Sequence, residues 1–130
     1  MAQSGQILAT HPAPRADGAL VTKAVLRAAG RLDLSNKELA RILGLSESTL
    51  SRMSAGGYVL APEQKPYELA LLLVRLYRSL DSIVGGDAAA ARAWLRAENR
   101  ALGATPLPHI MSIAGLAETI AYLDARRAPV

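Results

Sequence analysis

The stretch from Ser35 to Met53 leaves this chain little freedom of local fold. Ser35 precedes a run of apolar positions and has Glu38 three residues on, the spacing of a capping box at a helix start. Ser46 stands in the same place before a second run. Between them Gly44 supplies the positive φ that a tight turn needs. The spacing predicts two short helices, Asn36–Leu43 and Glu47–Ser54, ended by Gly56-Gly57. Ala40 is small where two such helices would cross, and Leu39, Leu43, Leu45, Leu50 and Met53 fill the positions that lock the pair. A larger side chain at 40 would push the second helix away, and a β-carbon at 44 would strain the turn. These positions agree at fixed offsets on a helix-turn-helix.

The rest of the chain suits a helical fold. Alanine supplies 25 of the 130 residues and leucine 21, against one Trp, four Tyr and no Phe. That favours helices over sheets, which prefer β-branched and aromatic residues. With no cysteine, a disulfide framework and cysteine-based zinc or thiol sites are excluded. The length predicts one domain or two very small ones. The fold class expected is therefore all-α: an N-terminal helix-turn-helix bundle, then a long helix and a small C-terminal helical domain.

Residues 1–18, with Pro12, Pro14 and Gly18, read as a flexible arm. A first helix is expected from Ala19 to a stop at Gly30, within a helix-turn-helix domain over 19–60. Pro62 is expected to open the long helix, with Glu63 complementing its positive end. Its stripe runs through Tyr67, Leu69, Leu72, Leu73, Leu76, Tyr77 and Leu80 to Gly85-Gly86. Leu71 and Val74 widen the stripe, which suggests packing on two sides, for instance on its own domain and on a second copy of the chain. In the second domain, 61–130, Asp87 is expected to cap a helix over Ala88–Ala97. Thr105 is expected to cap a short turn begun by Pro106, Gly115 to mark a break, and Leu116–Arg126 to form the last helix.

The formal charge is +4. Residues 1–65 hold 8 basic and 5 acidic side chains and residues 66–130 hold 7 and 6. This permits a nucleic-acid partner without requiring one. The second short helix is expected to expose Ser46, Glu47, Ser48, Thr49, Ser51 and Arg52. Residues at the start of such a helix face bases in the major groove, and Lys37 and Arg41 on the preceding helix would reach the DNA backbone. Glu47 would oppose phosphate, and a helix-turn-helix is also a packing module, so both readings stand here. One such helix binds weakly alone, so DNA binding implies a homodimer or higher assembly.

From Ile83 onward the order and spacing of residues carry a family likeness. Ile83-Val84-Gly85-Gly86-Asp87 is followed by Ala93-Trp94-Leu95, Asn99, Ala101-Leu102-Gly103, Thr105-Pro106-Leu107, Gly115 and Leu123. Together they resemble the toxin-binding domain of Xre/MbcA/ParS-type antitoxins. The helix-turn-helix before them is similar to the Xre-like domain of that family. The resemblance implies an antitoxin of a type II toxin-antitoxin system that binds and silences a cognate RES-type toxin acting on NAD. It also implies repression of its own operon through operator DNA, dimerisation, a higher-order complex with the toxin, and a C-terminal region near the toxin's active-site entrance. The chain departs from the pattern at Ala97-Glu98, Pro108-His109, Ile113-Ala114 and the ending Ala128-Pro129-Val130.

The residues that this places at a toxin interface are Trp94, Asn99, Leu102, Thr105, Pro106, Leu107, Arg126, Arg127 and Val130. Read from the residues alone, Trp94 serves either as core packing or as an anchor for the toxin, and Asn99 caps a local turn. Arg126 and Arg127 either complement the negative end of the last helix or enter an anionic nucleotide pocket. No catalysis, cofactor or metal is expected, since His11 and His109 lie far apart and no phosphate-binding glycine loop is present. No segment approaches the ~20 apolar residues needed to cross a bilayer, and no secretory leader is expected. The expectation is a soluble cytoplasmic protein without a membrane partner. Two alternatives remain: a protein-interaction module without useful DNA binding, and a stand-alone helix-turn-helix regulator.

Overall fold

Two short helices at near-identical spacing from their capping serines sit where the sequence places them, and the other helices assemble around them. A computed structural model describes residues 14–127, and their side chains from residue 17. In chain order the helices are α1 (Pro14–Arg31), α2 (Asn36–Leu43), α3 (Glu47–Ser54), α4 (Lys65–Ile83), α5 (Ala88–Arg96), α6 (Pro106–His109) and α7 (Ile113–Arg127). Among the described residues the only β-type pairing is an isolated bridge between Asn99 and Ala104. The all-α class is as expected.

The helix-turn-helix forms by its local chemistry. The Ser35 hydroxyl accepts from the Glu38 amide at 3.0 Å, and the Glu38 carboxylate accepts from the Ser35 amide at 2.9 Å. The Ser46 hydroxyl accepts from the Thr49 amide at 3.1 Å. Each bond satisfies an amide that the first helical turn leaves unpaired. Gly44 takes φ 73°, and the Leu45 amide returns to the Ala40 carbonyl at 2.9 Å. Ala40, Leu43, Leu50 and Met53 are buried.

The central element is α4. It packs against α1 and α2 of the first half and against α5 and α7 of the second. Leu69, Ala70, Leu73, Leu76 and Leu80 are buried along it. The breadth of its apolar stripe thus has partners within the chain, and Leu71 and the terminal Ile83 are its exposed members.

Several boundaries differ from those read from the sequence, each for a physical reason. The first helix begins at Pro14, inside the segment expected to be an arm; residues 1–13 lie outside the described residues. Gly18 is thereby a helix residue, and a Cβ there would lie 2.1 Å from the Leu60 carbonyl oxygen. One turn later the Thr22 hydroxyl accepts from the Leu60 amide at 2.9 Å. This pair pins the segment before α4 against α1.

Gly30 does not stop α1. The chain turns three residues later at Asp33, φ 58°, with the Leu34 amide on the Ala29 carbonyl at 2.9 Å. Aspartate tolerates that left-handed conformation better than most residues. Pro62 does not open α4 either. A helix begun there would need an amide from Pro66, which has none, so α4 starts at Lys65 with Pro66 in its first turn. Thr105 sits at the N-cap position of α6, but its side chain makes no capping bond. Gly115 does not break the last helix. It lies in the first turn of α7, where a Cβ would stand 1.8 Å from the His109 carbonyl oxygen. The Ser112 hydroxyl accepts from the Gly115 amide at 3.0 Å and starts the helix instead.

Two glycine substitutions should therefore differ sharply. Gly115→Ala forces α6 and α7 apart and should cost on the order of 1–3 kcal/mol. A Cβ at Gly30 meets nothing within 4 Å, so Gly30→Ala should be neutral or stabilising by up to about 1 kcal/mol. Urea unfolding of the two variants checks this, and an equal loss in both would contradict the close approach at Gly115.

Candidate functional site

Two surfaces are built on this frame. On α3 the exposed side chains Glu47, Ser48, Ser51 and Arg52 form one contiguous helical face, and Ser54, also exposed, turns to Asn36. Ser46 is exposed, but its hydroxyl is engaged locally: it donates to the Thr49 hydroxyl at 2.9 Å and lies 3.2 Å from that of Ser48. Thr49 is half-buried. Arg52 is held with its guanidinium carbon 5.5 Å from the centroid of the Tyr58 ring, an aromatic partner that the sequence reading did not single out. The arrangement presents one oriented guanidinium and two hydroxyls, with Glu47 as an opposing charge.

Lys37 and Arg41 are exposed on α2, but they also border the second surface. With Glu38 they line a groove of about 400 Å³ whose other wall is Leu107, Pro108 and Met111. The two expected sites therefore meet at this groove.

The second surface comes from α5, α6, α7 and the loop between α5 and α6. Trp94 is half-buried and stacks on Tyr122, ring centroids 6.3 Å apart at 18°. Arg126 lies 5.6 Å over the other ring of that pair, Tyr122, and donates to its hydroxyl at 3.3 Å. Trp94, Tyr122 and Arg126 thus form one stacked group, although Tyr122 was not among the residues singled out. Trp94 is neither wholly core nor wholly free.

Asn99 acts as a staple of its loop. Its side-chain oxygen accepts from the Leu102 amide at 3.1 Å, and its own amide donates to the Ala104 carbonyl at 3.0 Å. Leu102 is half-buried, while Pro106 and Leu107 are buried. Arg126 and Arg127 diverge. Arg127 turns to α4 and donates to the Ser79 hydroxyl at 3.0 Å. Val130 lies outside the described residues. Nearby, His109 Nε2 meets the Glu118 carboxylate at 2.5 Å across α6 and α7.

Arg92 and Arg96 of α5 link the halves. Arg96 donates to the carbonyls of Leu32 (3.1 Å) and Asp33 (2.8 Å), and Arg92 to that of Arg31 (2.9 Å). They cover the carbonyls left open at the end of α1, where a cation is also favoured by the helix dipole. Their i, i+4 spacing is visible in sequence; their partners, more than sixty residues away, are not.

Asp124 is the titrating group of note. It accepts from Ser79 at 2.6 Å and from Arg75 at 2.5 Å. The Ser79 hydrogen bond is the largest cause that holds its carboxyl below the usual carboxylate range; partial burial opposes it, and Arg75 and Arg127 add to the lowering.

A helix-turn-helix domain joined through a shared helix to a second helical domain defines the class: a two-part binding protein. The description "Antitoxin Xre-like helix-turn-helix domain" matches residues 11–75, and "Antitoxin Xre/MbcA/ParS C-terminal toxin-binding domain" matches residues 79–128. The chain belongs to this antitoxin family. The matched segments meet inside α4. A chain of the crystal structure of the M. tuberculosis MbcT-MbcA toxin-antitoxin complex has a similar fold: 21% identity, 82% of this chain and 92% of that chain covered, TM-score 0.62. No curated protein matches the chain. No helix among the described residues is long and apolar enough to cross a membrane.

A depressed carboxyl stabilises the folded state above its unfolded pKa, about 3.9, and that contribution is lost as pH falls toward the folded value. Asp124→Asn should lower the urea midpoint at neutral pH and reduce the loss on acidification. Identical midpoints in both proteins from neutral to acid pH would remove the role given to this carboxyl.

Proposed function

We propose that this antitoxin neutralises a RES-type, NAD-degrading toxin in the cytoplasm and, as a dimer, represses its own operon. The observation that carries the reading is the tiling of the chain by the two family segments. The α3 face supports the DNA role: Ser51 is exposed and can donate to bases or phosphates, Ser48 can accept while its proton goes to Ser46, and Arg52 is poised for guanine or phosphate. Lys37 and Arg41 add backbone contacts. The stacked Trp94 and Arg126, with Leu102, make the half-exposed part of the toxin-contacting surface. Asn99, Thr105, Pro106 and Leu107 shape it from beneath. Arg127 and Val130 are the remaining residues assigned to toxin contact in this reading. The chain itself works without a cofactor, as a binding protein and not an enzyme.

A second reading has an observation in its favour. The hydroxyls of Ser46 and Thr49 are engaged in the cap, and Glu47 faces outward beside them. An interaction module with a silent helix-turn-helix has that appearance.

A mobility-shift titration on the upstream DNA separates the two. Arg52→Ala should weaken specific binding by about 1–3 kcal/mol, and Lys37→Ala should weaken all sequences alike while reducing the salt slope by about one. No shift even at low salt would favour the interaction module.

Co-expression tests the other half. Deleting residues 126–130 should restore toxicity from the adjacent toxin gene while the complex stays measurable by co-purification. Unchanged neutralisation would remove the tail from the mechanism, and loss of the complex altogether would make it an anchor instead.

A further inference from the structure

A groove runs along the face that α1 shares with α4. Apart from Arg127, none of its lining residues belongs to the surfaces above. Its floor is apolar, made by Leu20, Val21, Ala24, Leu71 and Val74. Leu20 is 68% exposed and Leu71 46%, unusual for leucines on helices that pack together. Its walls are basic. Lys23, Arg27 and Arg31 follow one another at turn spacing along α1, and Arg75 and Arg78 do so along α4. Adjoining stretches of the groove enclose about 650 and 510 Å³.

The lining contains two carboxylates, Asp81 and Asp124, and Asp124 is already occupied by Arg75 and Ser79. Among the described residues no carboxylate lies within ion-pair distance of Lys23, Arg27, Arg31 or Arg78. The groove therefore combines uncovered apolar surface with a surplus of uncompensated positive charge.

We propose that this groove docks an acidic amphipathic helix of a partner protein. Apolar side chains one turn apart would seat on Leu20 and Leu71, and flanking carboxylates would pair with Lys23, Arg27 and Arg78. The α1 row from Leu20 to Arg31 is about 16 Å long at 1.5 Å per residue, room for about three helical turns. A helix laid in a groove by anchors at i, i+3 or i+4 and i+7 is a common mode of recognition.

Charge argues against two other occupants. A second copy docked face to face about a two-fold axis would bring the same cations together. Duplex DNA would satisfy the cations but leave Leu20 and Leu71 against phosphate and sugar. The inference does not depend on the identity of the toxin.

Two fluorescent peptides test it, with one shared apolar face at helical spacing and either Glu or Lys at the flanking positions. Anisotropy with the full chain should show the Glu peptide binding at least about tenfold more tightly, with affinity falling as salt rises. The double variant Arg27→Glu/Arg78→Glu should reverse the preference, and Leu20→Ser/Leu71→Ser should weaken both peptides. These side chains are exposed, so thermal unfolding of the variants should match that of the parent. Equal affinity for the two peptides, no binding, or binding indifferent to both double variants would overturn the proposal. So would displacement of the Glu peptide by random duplex DNA that itself no longer binds the Arg27→Glu/Arg78→Glu chain. A dimer that Leu20→Ser/Leu71→Ser turns into monomers in sedimentation would overturn it too, and give the groove to a second copy.

Discussion

Leu73, Leu76 and Leu80 have no exposed surface, and they lie on a helix with neighbours from both halves of the chain. Burial on that scale contributes about 1.5–3 kcal/mol for each leucine, and truncating one in a packed core costs about 2–5 kcal/mol. Buried side chains of both halves and of α4 form one continuous apolar cluster. The helix-turn-helix pair, α2 and α3, is two turns per helix, too short to persist without tertiary packing. The helices after Gly86 are likewise short apart from α7. The placement of both binding surfaces follows from how α4 is shared.

Polar contacts and one close backbone approach then fix how the elements meet. Gly18 and Thr22 hold the segment before α4 against α1. Arg92 and Arg96 cover the carbonyl end of α1 from the far side of the chain. Ser79, Asp124, Arg75 and Arg127 join α4 to α7. In each case a group that would be left unpaired at a helix end or in the core finds its partner in another element. A change at the second surface thus has short routes to α1 and to α4, against which α2 of the helix-turn-helix packs.

What was legible in the sequence was what local chemistry decides. The capping box at Ser35, the cap at Ser46, the turn at Gly44 and the cap at Asp87 each act within four residues, and each stands where the spacing placed it. The start of α4 was legible in principle, because Pro66 forbids the earlier start at Pro62. The roles of Gly18 and Gly115 were not, because nothing in their neighbourhood shows that Leu60 and His109 carbonyls come against them. The same holds at the surfaces. Trp94 was singled out for being the sole Trp, but its partner Tyr122 and the partner of Arg52, Tyr58, are set by tertiary packing. The sequence alone places Lys37 and Arg41 as DNA contacts of the first helix; the fold shows that they also wall a groove with Leu107.

If α4 binds both halves into one unit, they must unfold together. Trp94 reports on the second half, and far-UV circular dichroism reports on all the helices. Urea unfolding followed by both signals should give superimposable transitions, and Leu73→Ala should shift the two equally. A helical signal that melts in two steps, with Trp94 reporting only one of them, would contradict the account.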